Sequence, residues 1–153
     1  RIARRQRQMC IRDRYYAKKH IESIKANNSK AALYMTHAFV EPHKDFEVNQ
    51  ISIIKDIYTK VGEENNVLVI PVGLAFDIAY KELPDIKLHH DDGTHPNLKG
   101  TYLAACTVFA SVYGESPIGL KYDYYGAIDK EDKKLLQEIA HKATLKYQKR
   151  TIN

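Results

Sequence analysis

The sequence predicts an α/β domain, specifically an open parallel sheet covered by helices in a flavodoxin-like three-layer α/β/α sandwich. Three observations carry that prediction. Long stretches repeat apolar residues at helical spacing, two short apolar runs at 31–36 and 67–72 fall between them, and the two kinds of segment alternate along the chain.

Residues 15–27 read as an amphipathic helix, with Tyr16, His20, Ile21 and Ile24 at helical intervals, ended by Asn27-Asn28-Ser29. Residues 31–36 form a short strand, followed by a polar loop containing Pro42. A second long helix is predicted over 45–64, carrying Val48, Ile51, Ile54, Ile57, Tyr58 and Val61 on one face, and Asn65-Asn66 stops it. The β-branched run 67–72 suits a parallel strand covered on both sides. Gly73 then turns the chain into a helix over 74–82, and the loop 83–96 holds a cluster of Asp and His. Asn97 is placed to cap a helix over 98–113, with Leu98, Tyr102, Ala105, Phe109 and Val112 as its buried stripe. Gly100 and Ala104 form a small-residue patch suited to close approach to the sheet. After a tyrosine-rich connection over 114–128, Asp129 caps a last helix lined by Leu136, Ile139, Ala140, Ala143 and Tyr147. Two strands make a poor sheet, and parallel neighbours are joined by crossovers, so these pieces fit the second half of such a sandwich. Sites in open parallel sheets gather beyond the carboxyl ends of the strands. Here those ends are Thr36-His37, Pro71-Val72-Gly73 and the loop to His95.

Charge is distributed unevenly. The 153-residue chain has a formal net charge of +5, and residues 1–14, with six arginines against Asp13, account for all of it. From residue 15 onward arginine occurs once, at Arg150, while every lysine lies there. The run Met9-Cys10-Ile11-Arg12-Asp13-Arg14 matches the translation of a transposon mosaic end used in sequencing-library adaptors. Residues 1–14 are therefore expected to be non-native, and 15–153 to be the C-terminal part of one domain whose natural start lies upstream. The competing reading is a basic arm for nucleic acid, which would bind with strong salt dependence. With 1–14 set aside the body is neutral, so no nucleic-acid partner is expected, and the lysine-rich last helix reads as a solvated face. No apolar run reaches the roughly 18–20 residues of a membrane span. Cys10 lies in the foreign segment and Cys106 inside an apolar helix, which supports neither a disulfide framework nor a zinc site.

The chemistry centres on Asp92-Gly93-Thr94-His95-Pro96. A carboxylate three residues before a histidine can reach one ring nitrogen at a single turn while the other nitrogen faces a nucleophile. Asp91 is the alternative partner for His95 and is better placed in solvent. His89-His90-Asp91-Asp92 with His95 also has the residue types of a metal cluster. Adjacent histidines in an extended loop point in opposite directions, so no metal is expected. His37 is either a wall of a substrate pocket or an exposed loop residue, and Gly73 serves its turn rather than chemistry. The tyrosines at 122, 124 and 125 either stack on a sugar or pack their loop over the core.

The run Asp92-Gly-Thr-His-Pro-Asn-Leu-Lys-Gly-Thr-Tyr-Leu-Ala-Ala-Cys106 resembles the closing block of the SGNH (GDSL-type) hydrolases, in a bacterial branch of that family. Leu33-Tyr34-Met35-Thr36, Val69-Ile70-Pro71-Val72-Gly73 and Gly114-Glu115-Ser116-Pro117-Ile118-Gly119 are similar to neighbouring segments, so the resemblance covers about 15–147. It implies an ester hydrolase in which His95 is the base and Asp92 its orienting carboxylate. By their place at the carboxyl ends of the strands, His37 and Gly73 are the substrate-pocket candidates. The family's Gly-Asp-Ser block, and the glycine and asparagine of its oxyanion hole, have no counterpart here. Ser23, Ser29, Ser52, Ser111 and Ser116 lack the strand and tight turn a nucleophile needs. The resemblance thus implies a full-length esterase acting on carbohydrate or lipid esters, and inertness of these residues alone. Acyl transfer through serine needs no cofactor. Location is not fixed by the sequence, and the family fits secretion or the periplasm. A non-catalytic ligand- or carbohydrate-binding domain on the same fold is the alternative.

Overall fold

In the computed structural model the elements run α1 (Ile2–Ala26), β1 (Ala32–Tyr34), α2 (Gln50–Asn65), β2 (Leu68–Ile70), α3 (Val72–Glu82), α4 (Leu98–Tyr113) and α5 (Lys130–Gln148). The structure describes the backbone of residues 2–148 and the side chains of 14–148. The foreign segment and the basic arm expected at 1–14 therefore fall, Arg14 apart, on side chains outside the described residues.

β1 and β2 pair in parallel, Ala32 opposite Leu68, Leu33 opposite Val69 and Tyr34 opposite Ile70. Parallel neighbours need a long crossover, and α2 supplies it. The chain is thus α/β. Met35 N–H donates to the Ile70 carbonyl at 3.0 Å, carrying the pairing one step beyond the strand. β2 is shorter than the predicted 67–72 because Pro71 has no N–H to give a ladder and instead opens α3. Gly73 N–H donates to the Met35 carbonyl at 2.9 Å, locking the start of α3 to the end of β1.

Helix boundaries moved where turn chemistry overrode periodicity. α2 starts at Gln50 rather than 45 because Asn49 is left-handed (φ 70°) and the chain before it turns through Val40–His43 and His43–Phe46 hydrogen bonds. Val48, expected on the buried face, is 79% exposed. On α1 only Ile21 of the predicted stripe is buried, while Tyr16, His20 and Ile24 are exposed.

The core lies between α3, α4 and α5, around Phe76, Leu88, Leu103 and Leu136. Each such side chain contributes about 1.5–3 kcal/mol of transfer free energy. α4 keeps its predicted bounds but turns a different face inward. Of the expected stripe, Tyr102 is buried in the core and Leu98 packs against it, whereas Ala105 and Val112 are exposed, and Gly100, Leu103, Ala104, Thr107, Ala110 and Ser111 are buried beside Tyr102. Small residues let that face approach closely, and Thr107 satisfies its buried hydroxyl by donating to the Leu103 carbonyl at 2.8 Å. A Cβ on Gly100 would meet the Leu88 carbonyl oxygen at 2.2 Å and Phe76 at 3.1 Å. At Gly100 the close approach is made to the 83–96 loop and α3, while α4 also lies against β2 of the sheet. Leu98, Tyr102, Ala105 and Phe109 also line a cavity of about 370 Å³ under Tyr122 and Tyr124. Tyr122, Tyr124 and Tyr125 cluster edge-to-face and stay more than half exposed, so they do not seal the core.

Both predicted caps are made. Asn97 Oδ1 accepts from Gly100 N–H at 3.1 Å. Asp129 Oδ1 accepts from Glu131 and Asp132 N–H at 3.0 and 2.9 Å. Among the described residues no helix is long and apolar enough to cross a membrane.

Candidate active site

The turn carrying Asp92 and His95 is closed at its base. His89 and Pro96 form an antiparallel bridge, and His90 N–H donates to the His95 carbonyl at 2.8 Å. Asn97 anchors it to α4, donating its N–H to the Leu88 carbonyl at 2.9 Å and its side-chain amide to the Lys87 carbonyl at 2.8 Å. At the tip, Asp92 Oδ1 accepts from the N–H groups of Thr94 and His95, each at 3.0 Å. This is the self-capping turn that aspartate favours.

The second carboxylate oxygen is thereby aimed at the ring. Asp92 Oδ2 lies 2.5 Å from His95 Nδ1. The His95 side chain, then the two backbone N–H groups, hold the Asp92 carboxyl well below the usual carboxylate range. An ionised Asp92 requires the proton on Nδ1 of His95, which leaves Nε2 as the basic nitrogen. The ring is 75% exposed, so that nitrogen is open to a reactant. Asp91 is exposed and takes no part in this pairing. No serine hydroxyl is hydrogen bonded to His95 among the described residues.

His37 is neither a free loop residue nor isolated. Its ring stacks on Phe76 at 4.7 Å, and its Nδ1 lies 2.9 Å from Nε2 of His89. His89 in turn meets the Tyr80 hydroxyl through Nδ1 at 2.5 Å. His89 is buried in this cluster while His90 is exposed, so the adjacent histidines do diverge. Burial, then the neighbouring His37, push the His89 imidazole down to about 4, against the pull of Asp92. Burial also lowers His37, with His95 acting in the same direction against the Ala38 carbonyl. Tyr80 was not legible as a site residue. Only its position four residues after Phe76, on the same helical face, hints at it.

Gly73 is buried at the start of α3, where a Cβ would meet the Thr36 carbonyl oxygen at 2.2 Å and Ile51 at 3.0 Å. Its function here is close packing under the end of β1. Gly93, within the Asp92–Pro96 motif, is the glycine the site requires. It is left-handed (φ 70°), and a Cβ there would lie 2.1 Å from the Val40 carbonyl oxygen.

No family model matches this chain, and no curated protein matches it. Among solved structures it is similar to a DUF4886 family protein from Bacteroides uniformis, with a TM-score of 0.70 and 23% sequence identity. The match covers 80% of this chain and 50% of that one, so the chain spans about half the length of this neighbour. What the two share is the fold.

Proposed function

We propose that Asp92 and His95 are the acid and base members of a serine acyl-hydrolase site of the SGNH type, on a flavodoxin-like α/β/α sandwich. The reaction is hydrolysis of a carboxylic ester, of a carbohydrate or a lipid. His95 takes the proton of a serine hydroxyl as it attacks the carbonyl carbon, then returns it to the departing alcohol. Asp92 holds the ring in the productive tautomer and stabilises the imidazolium. The observation that carries this reading is the 2.5 Å contact between Asp92 Oδ2 and His95 Nδ1, with Oδ1 spent on the turn's own backbone. The nucleophile and oxyanion donors are assigned to sequence outside the 153 residues.

The test is ester turnover by the protein expressed in its natural reading frame, beside a His95→Ala variant. A loss of about 10³-fold or more on removing the imidazole supports the assignment. Undiminished turnover overturns it. The isolated 153-residue chain is expected to be inert toward the same esters. The alternative is a non-catalytic ligand- or carbohydrate-binding domain on the same fold, which binding of an oligosaccharide without turnover in the natural-length protein would select.

A further inference from the structure

Next to the Asp92–His95 turn stands a chain of groups that the acyl-transfer reading leaves unused. Tyr80 on α3, His89 at the base of the turn and His37 after β1 are linked end to end, 2.5 Å from Oη to Nδ1 and 2.9 Å from Nε2 to Nδ1. With the phenol as donor, one consistent order of protons runs along the chain. The phenol oxygen accepts from Leu88 N–H at 3.3 Å, and its single proton has the Nδ1 of His89 as acceptor. His89 then carries its proton on Nε2 and donates to Nδ1 of His37. His37 is left protonated on Nε2. The approach of His37 Nδ1 to the Ala38 carbonyl would require the other tautomer, but at 3.4 Å it is the weaker contact.

Phe76 fixes the ring plane of His37 by stacking at 20°. No hydrogen bond engages Nε2 of His37 among the described residues. The relay and the dyad also feel each other's charge, since His95 opposes protonation of His37 and Asp92 favours that of His89.

We propose that Tyr80 and His89 are positioning residues that lock His37 as the Nε2–H tautomer, and that His37 offers this N–H as a fixed, uncharged donor to an oxygen of a neutral ester bound beside His95. The proposal rests on the acyl-hydrolase reading for the identity of the ligand, and on geometry alone for the tautomer. Burial keeps both imidazoles neutral, so the donor selects an acceptor oxygen without attracting anions.

The experiment is long-range proton–nitrogen spectroscopy of the histidine rings in the 15N-labelled 153-residue chain at neutral pH. His37 and His89 are both expected as Nε2–H tautomers. In Tyr80→Phe the relay loses its anchor, and the His89 and His37 rings move toward mixed tautomers while the backbone amide spectrum stays in place. Should that variant fail to fold, the wild-type spectrum decides alone, because an Nδ1–H or doubly protonated His37 overturns the relay. Methyl acetate is then titrated. A shift of the His37 Nε2 signal with the ester supports the donor role. An absent shift overturns it. These readouts need no turnover, so a failed relay is distinguished from a failed esterase assignment.

Discussion

The backbone N–H of Val40 donates to the Gly93 carbonyl at 2.9 Å, so the loop after β1 braces the turn that holds Asp92 and His95. That brace leaves no room for a side chain at position 93. Gly93→Ala is expected to lower stability by about 1–3 kcal/mol from the left-handed backbone, with the contact to Val40 adding to it. Urea unfolding midpoints check the loss, and loss of the downfield His95 Nδ1 proton signal checks that the turn has opened.

Asparagine at position 92 separates the two tasks of the carboxylate. Its carbonyl oxygen still accepts from Thr94 and His95 N–H, but it no longer compels the proton onto Nδ1 of His95. Asp92→Asn is therefore expected to keep the turn and the fold while lowering the melting temperature modestly, because the ionic contact with the ring is lost. In the natural-length protein it is expected to cut ester turnover by about 10⁴-fold. Calorimetry and steady-state kinetics on the same preparation check both halves.

The inward face of α4 is tested by a pair of substitutions. Leu103 is fully buried and Val112 is half exposed. Leu103→Ala is expected to cost about 2–5 kcal/mol by leaving a cavity. Val112→Ala, on the face that periodicity pointed inward, should change stability by less than about 0.5 kcal/mol. Comparable losses at the two positions in denaturant titrations would contradict this packing.

Stability should fall with acid in a window set by His89. Its imidazole titrates near 6.5 when unfolded and near 4 when folded, so the unfolded chain binds the proton first. The contribution is full above pH 6.5 and is lost as pH falls toward 4. His37, lowered by burial, acts in the same direction. Asp92 is also held down, but its contribution begins to fade only below the ordinary carboxylate range. Urea midpoints between pH 7 and 4 should decline in the wild type, and His89→Gln should flatten much of that decline.

Much of the frame was legible in the residues. The caps at Asn97 and Asp129, the bounds of α4 and the Asp92–His95 contact follow from interactions within a few positions of one another, which spacing alone encodes. Where α2 began was not legible, because a left-handed Asn49 ended the helix against an apolar pattern that continued through Val48. The direction in which α4 faces was not legible either. Its apolar residues surround most of the helix, and the inward face combines Tyr102 and Leu103 with small residues that permit close approach.

By itself the sequence determined an α/β chain with an acid and an imidazole held at one turn, since carboxylate, glycine, histidine and helix cap are neighbours along the backbone. Only the tertiary structure brought Tyr80, His89 and His37 into one hydrogen-bonded line, from α3, the loop before α4 and the end of β1. Their meeting depends on how α3 packs under the parallel strands, where the glycine at 73 lets backbone approach backbone. Contacts made across more than fifty residues of chain leave no period in the sequence to read.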